Sequence, residues 1–131
     1  MSEENIERMR QALAAFARGD KETWRGLFHH DIEYVPIGDW PEARIRGREA
    51  LWDFVVAGEE PWEAGPYELD EVADGGDHVA ARVRRDLRGK SSGVEIEFDL
   101  WVVVTFRDGK VTRAKWFEDR PDALEAAGLR E

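Results

Sequence analysis

The second half of the chain alternates polar and apolar residues with a period of two, and short turn sequences interrupt the pattern. Four segments show it: residues 67–73, 78–88, 94–106 and 110–118. Between them lie Gly75 and Gly76, residues 89–93 and residues 107–109. Period-two alternation bounded by glycine-containing turns is typical of β-strands. This half therefore predicts an antiparallel meander of four strands.

The first half shows helical spacing instead. Apolar residues recur every three or four positions over residues 3–18: Ile6, Met9, Leu13 and Phe16. Asp20 can cap a second, short helix. Residues 31–35 predict a strand, and a third helix covers residues 48–57, with Gly58 as its stop. A last short helix over residues 121–128 starts with proline and ends with glycine.

This order predicts one α+β domain over residues 1–131, with a five-stranded antiparallel sheet and the helices on one side.

The composition of the chain argues against several kinds of site and partner. The absence of cysteine excludes disulfides and thiolate metal sites. A net charge of −10 argues against nucleic acid as a partner, because binding phosphates requires a cationic surface. No apolar run approaches the roughly 20 residues that span a bilayer, and the charged N-terminal segment lacks a signal peptide's apolar centre. We expect a cytoplasmic protein without a membrane partner.

Several stretches resemble the SnoaL-like branch of the nuclear transport factor 2-like superfamily over nearly the whole chain. They are FARGDKETWRGLFHHDIEYVP (16–36), RGREAL (46–51), RGKSSGVEIEF (88–98), TFRDGKV (105–111) and FEDRPDALEAAGL (117–129). The resemblance implies a cone-shaped, curved antiparallel sheet that wraps around N-terminal helices and leaves an apolar pocket. It also implies a wide range of functions, from polyketide cyclases, ketosteroid isomerases, dehydratases and epoxide hydrolases to non-catalytic binding or dimerisation modules.

The catalytic residues of those relatives do not match this chain. Ketosteroid isomerases carry an aspartate base at the end of the first strand, where this chain has Tyr34, Val35 and Pro36. On the fourth strand they carry an acidic oxyanion donor, and some SnoaL-like relatives carry a histidine, where this chain has Val102. The known acid–base pairs therefore do not transfer, and any activity must rest on other residues.

The turn at residues 107–109 allows two registers for the last hairpin. A two-residue Asp-Gly turn pairs Arg107 with Lys110, whereas a three-residue loop with Gly109 in the left-handed conformation pairs Phe106 with Lys110. We expect the second, because the first would bring cationic side chains to the apolar side. The expected pairs are Val104–Thr112, Val102–Ala114, Leu100–Trp116 and Phe98–Glu118.

In the preceding hairpin, a four-residue loop over residues 90–93 aligns apolar with apolar residues. The expected pairs are Arg88–Glu95, Leu87–Ile96, Arg85–Phe98, Arg84–Asp99 and Val83–Leu100. One pair, Asp86 opposite Glu97, is like-charged. The basic stripe of residues 82–88 then reads as a solvated charge ladder, not a nucleic-acid site.

These registers place Arg85, Phe98 and Glu118 in one inner row. Arg85 and Glu118 lie two strands apart, roughly 10 Å between backbones, a gap that the long arginine can span. One interpretation is a structural ion pair, since a buried charge is costly unless it is paired. The other is a polar anchor for a ligand, with Glu118 as a general base. Tyr34 has the same two interpretations: a core residue, or a hydroxyl that donates to a ligand oxygen.

The expected pocket lies between the third helix and the concave face of the sheet. Its predicted lining is Tyr34, Leu51, Phe54, Arg85, Phe98, Val102, Trp116 and Glu118. Trp40, in a proline-bounded loop, is expected over the mouth, and Trp52 beside either the pocket or a partner chain. No metal is expected, because the adjacent His29 and His30 should point in different directions, and no cofactor is expected, because the sequence has no glycine-rich phosphate loop.

The outer face of the last hairpin carries an apolar patch of Trp101, Val103, Val111 and Phe117. Contiguous exposed apolar residues usually mark contact sites, so we expect a homodimer that uses this patch twice and to which the C-terminal tail can contribute. The alternative is that the C-terminal tail, with Leu124 and Leu129, folds back over the patch within one chain.

Two functions remain open. One is a small-molecule enzyme without a cofactor, an isomerase, cyclase or dehydratase that moves protons on an apolar substrate with Glu118 as its carboxylate. The other is a non-catalytic ligand-binding or dimerisation module with a vestigial pocket. A tight Arg85–Glu118 pair would lower the pKa of the carboxyl group, which suits a structural role.

Overall fold

The computed structural model describes residues 2–38 and 40–129. The helices in this part of the chain are α1 (Ser2–Ala17), α2 (Lys21–Gly26), α3 (Arg48–Glu59) and α4 (Arg120–Ala126), with a 3-10 turn at Pro41–Ala43. The strands are β1 (Phe28–Val35), β2 (Ile45–Arg46), β3 (Trp62–Ala64), β4 (Glu68–Gly75), β5 (His78–Gly89), β6 (Glu95–Arg107) and β7 (Lys110–Phe117). The predicted α+β class is confirmed. None of these helices is long and apolar enough to cross a membrane.

The strands form one strongly curled sheet in the order β2-β1-β7-β6-β5-β3, with β4 pairing along another part of β5. The five-stranded, wholly antiparallel sheet is corrected in two respects. β1 and β7 run parallel, and two short strands, β2 and β3, lie in stretches expected to be loops. Strands of two and three residues are too short to show an alternating pattern.

One predicted helix end is observed in the structure and another is not. Asp20 caps α2, and its Oδ1 accepts the backbone N–H of Thr23 at 3.1 Å. Gly58, however, does not stop α3, which continues to Glu59. A glycine that ends a helix usually adopts a positive φ, and Gly58 is not among the glycines that do. The two further residues bring the Glu59 carboxylate to Arg85, with Oε1 2.9 Å from Nη2.

The main core lies between α1 and the concave face of the sheet. Met9, Ala12 and Ala15 of α1 are buried against the inward-facing residues of the strands, among them Val79 and Val83. Full burial of a valine-sized side chain contributes about 1.5–3 kcal/mol. This packing holds the sheet curled around the helix.

The β5–β6 register is confirmed in full, including Arg85 opposite Phe98 and the like-charged pair Asp86–Glu97. On the outer face, Arg84 contacts Glu97 at 2.7 Å and Asp70 at 3.2 Å. This places a cation beside the like-charged pair. Arg82 likewise binds Asp99 at 2.6 Å, so the predicted charge ladder is present.

The expected β6–β7 register is wrong. Arg107 pairs with Lys110 across a two-residue turn, in which Asp108 (φ 52°) and Gly109 (φ 77°) both adopt the positive φ that a type I′ turn requires. The register then shifts between Phe106–Val111 and Thr105–Arg113, which leaves Thr112 as an extra residue. This bulge keeps Arg113 off the apolar side, which removes the objection to the two-residue turn.

The shift changes which residues meet. Val104 faces Ala114, and Val102 faces Trp116, so Leu100–Trp116 and Phe98–Glu118 do not form. Val111 packs in the main core, not on the outer face as predicted.

The remaining outer patch is covered within the chain. Trp101 and Val103 are buried with Ala123, Leu124 and Ala127 of the C-terminal segment, and Phe117 and Leu129 pack at the edge of this second cluster. The alternative, in which the tail folds back over the patch within one chain, is the one observed, and a homodimer through this face stays a prediction. Such a homodimer would have to displace α4 or include the tail in its interface.

Candidate functional site

A cavity of about 390 Å³ opens between the helices and the concave face of the sheet. Its volume is in the range of small-molecule sites, which is roughly 300–1,000 Å³. Seven of the predicted lining residues surround it: Tyr34, Leu51, Phe54, Arg85, Phe98, Val102 and Trp116. Most of the other walls are apolar as well, with Met9, Leu13 and Phe16 from α1 and Trp24 from α2.

Two predicted site residues are not in the cavity wall. Glu118 is exposed, one residue beyond the end of β7, and it does not meet Arg85. The register that placed it beside Phe98 ignored the bulge at Thr112. Trp40 is 63% exposed in its loop and does not line the cavity. Trp52 packs inward against Phe16 and Trp24, with ring centroids 5.6 and 5.0 Å away.

Arg85 is the buried cation of the cavity wall, with 7% of its surface exposed. Its Nη2 donates to Glu59 Oε1 at 2.9 Å, and both Nε and Nη2 donate to the Gly65 carbonyl at 3.1 and 2.9 Å. The guanidinium also lies over the Tyr67 ring, 3.8 Å from its centroid. The partner predicted for Arg85, Glu118, is thus replaced by Glu59.

Sequence reasoning missed Glu59 and Tyr67. Glu59 follows Leu51 and Val55 at four-residue spacing, so a longer α3 would have placed it on the same helix face. Among the lining residues that the structure describes, Glu59 is the only carboxylate. Its side chain is 28% exposed, at the edge between cavity and solvent. Tyr67 directly precedes β4, and its spacing from the partly buried Leu69 was the available signal.

Tyr34 and Trp116 present polar groups to one part of the cavity. Burial raises the pKa of Tyr34 to about 12, and the Trp116 indole N–H partly offsets this rise. The indole therefore lies near the phenol oxygen, although not in hydrogen-bonding geometry. Trp116 Nε1 is buried and has no hydrogen-bond partner among the described residues. An unpartnered buried donor of this kind costs about 1–3 kcal/mol.

Tyr67 lies in a related environment next to the ion pair. Burial raises its pKa to about 12; Arg85 lowers the pKa, whereas Glu59 and Tyr34 raise it. Tyr34 and Tyr67 line the same cavity. Both stay neutral and able to donate at ordinary pH.

Aromatic contacts fix the orientation of these groups. The rings of Phe98 and Trp116 meet edge to face at 5.4 Å, and Tyr34 packs against Phe54 at 5.8 Å. Side chains locked by packing keep their polar atoms in place, which a preorganised binding site requires.

His29 and His30 do not line the cavity, and the orientation of their side chains differs from the expected one. The β1–β7 register is irregular between Phe28 and Glu33, and the His29 and His30 rings stack at 4.4 Å, so the adjacent side chains do not point apart. Asp31 completes the one described group of three candidate metal ligands. His29 Nδ1 already accepts the Asp31 N–H at 3.0 Å, and His30 and Asp31 are exposed. These three residues therefore do not form a preorganised metal site.

Comparison with known proteins places this architecture in a family. A model described as a SnoaL-like domain matches residues 9–114. An NTF2-like protein from Burkholderia xenovorans LB400 is 30% identical, with a TM-score of 0.77 and 97% of each chain covered. No curated protein matches the chain.

Two other solved structures share the fold at lower identity. TerC, co-crystallised with polyporic acid, is 22% identical, with a TM-score of 0.74 over 95% of this chain and 98% of that one. A protein with a ketosteroid isomerase-like fold from Catenulispora acidiphila DSM 44928, in complex with trimethylamine, is 18% identical, with a TM-score of 0.72 over 94% and 93%. From the domain match and the Burkholderia relative, the chain belongs to the SnoaL-like family of NTF2-like proteins.

Proposed function

We propose that the protein binds a small, mainly apolar molecule that presents a carbonyl-type oxygen to Tyr34 and Trp116. The observation that carries this proposal is the buried, unpartnered Nε1 of Trp116 beside the neutral Tyr34 phenol. An oxygen held between the two donors would satisfy both. The apolar walls would contribute about 25 cal/mol per Å² of apolar surface that the ligand buries.

The relatives support a ligand of this kind. TerC was co-crystallised with polyporic acid, and the Catenulispora protein is in complex with trimethylamine, so two proteins of this fold were crystallised with compact organic molecules. A cavity of about 390 Å³ also argues against the alternative of a vestigial pocket. The tail-covered outer face argues against a module whose main role is dimerisation through that face.

The test uses α-tetralone, a two-ring ketone, and naphthalene, which has a similar ring skeleton without oxygen. We expect calorimetric titration to show tighter binding of α-tetralone, by about fivefold for one net hydrogen bond. Trp116→Phe and Tyr34→Phe should each reduce that preference. Trp40→Phe is the matched control, because Trp40 lies outside the cavity wall. Equal binding of both compounds, or no binding of either, would contradict the proposal.

Proton-transfer catalysis, as in an isomerase, cyclase or dehydratase, is a second candidate because Glu59 is the one carboxylate among the described lining residues. It could remove a proton from the carbon next to the bound carbonyl, and the electron pair would move to the oxygen held by Tyr34 and Trp116. One observation counts against this role: Glu59 Oε1 already accepts a hydrogen bond from Arg85 Nη2 at 2.9 Å.

Exchange of α-deuterium from labelled α-tetralone into water tests this second candidate. Glu59→Gln should abolish the exchange, whereas the exposed neighbour Glu60→Gln should leave it unchanged. Exchange that survives Glu59→Gln excludes Glu59 as the base. Binding without any exchange assigns the protein to the non-catalytic class.

A further inference from the structure

The first part of β6 has a neighbouring strand on one side only. β6 pairs with β5 from Glu95 onward, but with β7 only from Trp101 onward, where Trp101 faces Phe117. After Phe117 the chain leaves the sheet and enters α4, so no described strand lies beside residues 95–100 on that side. We propose that this open edge binds an extended segment of another protein as an added strand, in which basic and apolar residues alternate.

The hydrogen bonds at the two ends of the β5–β6 ladder show which residues face the open edge. The Gly89 N–H donates to the Val94 carbonyl at one end, and the Phe106 N–H donates to the Asp77 carbonyl at the other, both at 2.8 Å. Hydrogen-bonded and non-hydrogen-bonded pairs alternate along an antiparallel ladder. Both ends therefore direct the backbone groups of even-numbered β6 residues to β5 and those of odd-numbered residues away from it.

The odd-numbered residues beside the open edge are all acidic: Glu95, Glu97 and Asp99. Their N–H and C=O groups point to the open side, where no described strand pairs with them. Their side chains lie on the outer face, where Glu97 binds Arg84 at 2.7 Å and Asp99 binds Arg82 at 2.6 Å. Glu95 is exposed and has no ion pair with a described residue. Basic side chains of an added strand would lie opposite these three carboxylates.

More acidic side chains lie close to this edge. Glu63 and Asp86 join Glu95 and Glu97 around a shallow hollow, in which Arg88 is the only cation among the described lining residues. Negative charge is therefore in excess here, which favours a cationic partner.

The inner face of the same edge is apolar. It carries Ile96, which is 45% exposed, and the half-buried Phe98 and Leu100. Apolar side chains of an added strand would cover this surface, which is favourable because it removes apolar area from water. The matching segment therefore has a basic residue at every second position and apolar residues between them.

A second copy of this chain fits the edge poorly. In an antiparallel pair centred on Glu97, this residue would face its own copy, and Glu95 would face the Asp99 of the second copy. Like charges directly opposite one another destabilise a sheet, and charged edge strands protect proteins from self-association. The net charge of −10 adds to the repulsion.

The test measures binding of a fluorescein-labelled peptide of alternating lysine and valine, KVKVK, by fluorescence anisotropy. Its lysines would exchange backbone hydrogen bonds with Glu95, Glu97 and Asp99. Methylation of the lysine backbone nitrogens removes these donors and should weaken binding at least about tenfold. Methylation of the valine nitrogens, which face solvent, is the matched control and should leave binding unchanged. The peptide EVEVE should not bind.

A variant pair tests the contribution of charge. Glu95→Gln should weaken binding of KVKVK by about two- to fivefold, the usual range for one cross-strand charge pair. Glu22→Gln, at an exposed glutamate of α2, removes the same charge far from the edge in sequence and should have no effect.

Amide hydrogen exchange, followed by NMR, maps the bound strand directly. The amides of Glu95, Glu97 and Asp99 should exchange fast in the free protein and slowly with KVKVK, whereas those of Ile96 and Phe98 should be slow in both. No binding, or binding that survives methylation of the lysine nitrogens, overturns the proposal. Protection of the three acidic residues in the free protein also overturns it: a doubled mass by light scattering would then assign the edge to a second copy, and a monomeric mass to the chain itself.

Discussion

Arg85 Nη2 and Glu59 Oε1 lie 2.9 Å apart, and this ion pair joins the end of α3 to the middle of β5 at the cavity wall. Arg85 is almost fully buried, and Glu59 and the Gly65 carbonyl supply the acceptors for its guanidinium. The pair therefore links the helix that closes the cavity to the sheet that forms its floor.

Glu59→Leu should destabilise the fold, because it leaves a buried guanidinium without its carboxylate. We expect a loss of about 1–3 kcal/mol in urea unfolding, below the usual cost of a broken buried pair because Glu59 is partly exposed. Glu59→Leu combined with Arg85→Met should recover most of the loss. Glu60→Leu is the control and should change stability by less than about 0.5 kcal/mol. A double variant no more stable than Glu59→Leu alone would contradict this account.

Trp101→Glu should unfold the chain and not merely separate two copies. Trp101 is 5% exposed beneath the C-terminal segment, so a carboxylate there enters an apolar cluster. The expected cost is about 3–5 kcal/mol, measured by chemical unfolding. Trp40→Glu, at an exposed tryptophan, should have little effect. A stable Trp101→Glu protein with half the wild-type mass by light scattering would instead show an interface on this face.

The parts of the fold that sequence predicts well are those with a long, uninterrupted pattern. The β5–β6 register follows from 11 consecutive pairs, from His78–Thr105 to Arg88–Glu95, in which any slip would turn apolar residues outward. The β6–β7 register is not fixed in this way, because one extra residue, Thr112, returns the apolar side chains to the inner face after a two-residue turn. An alternation pattern does not show where a bulge lies.

The candidate site was predictable where it rests on strand faces and not where it rests on chain ends or loops. Tyr34, Arg85 and Trp116 line the cavity as expected, because the alternation pattern of a strand shows which side chains face inward; their role in binding stays a prediction. Glu59 was missed because Gly58 was interpreted as a helix stop, although glycine is tolerated inside a helix at a cost of about 1 kcal/mol. Trp40 was misplaced because tertiary contacts, not local sequence, position a loop.

Deletion of Thr112 should leave the chain folded, because Thr112 is the extra residue of the bulge. With the Asp108–Gly109 turn kept, Thr105 still faces Arg113, so Trp116 stays on the inner face. We expect a cooperative thermal transition and near-ultraviolet circular dichroism like those of the wild type. Thr112→Ala keeps the residue count and removes only the bond from its Oγ1 to the Thr105 carbonyl, 3.3 Å long, so it should fold as well. Loss of the cooperative transition on deletion would show that the fold needs the bulge itself and not only the register that it allows.

Stability should fall at high pH because of the two tyrosines. Tyr34 and Tyr67 are the only tyrosines of the chain, and in the folded state the pKa of each is about 12, above its ordinary value of 10.0. A pKa raised in the folded state stabilises the protein fully below the unfolded pKa, and this contribution is lost as the pH rises from about 10 to 12. The loss should reach about 2–3 kcal/mol per tyrosine. Phenolate absorbance should therefore appear at a pH up to about two units higher in the native protein than in urea, with the chain unfolding as it does. Tyr34→Phe and Tyr67→Phe should each remove part of this loss of stability. The lysines also titrate near pH 10, and the double variant should show how much of the loss they cause. A native titration that coincides with the one in urea would mean that neither phenol is buried in the cavity.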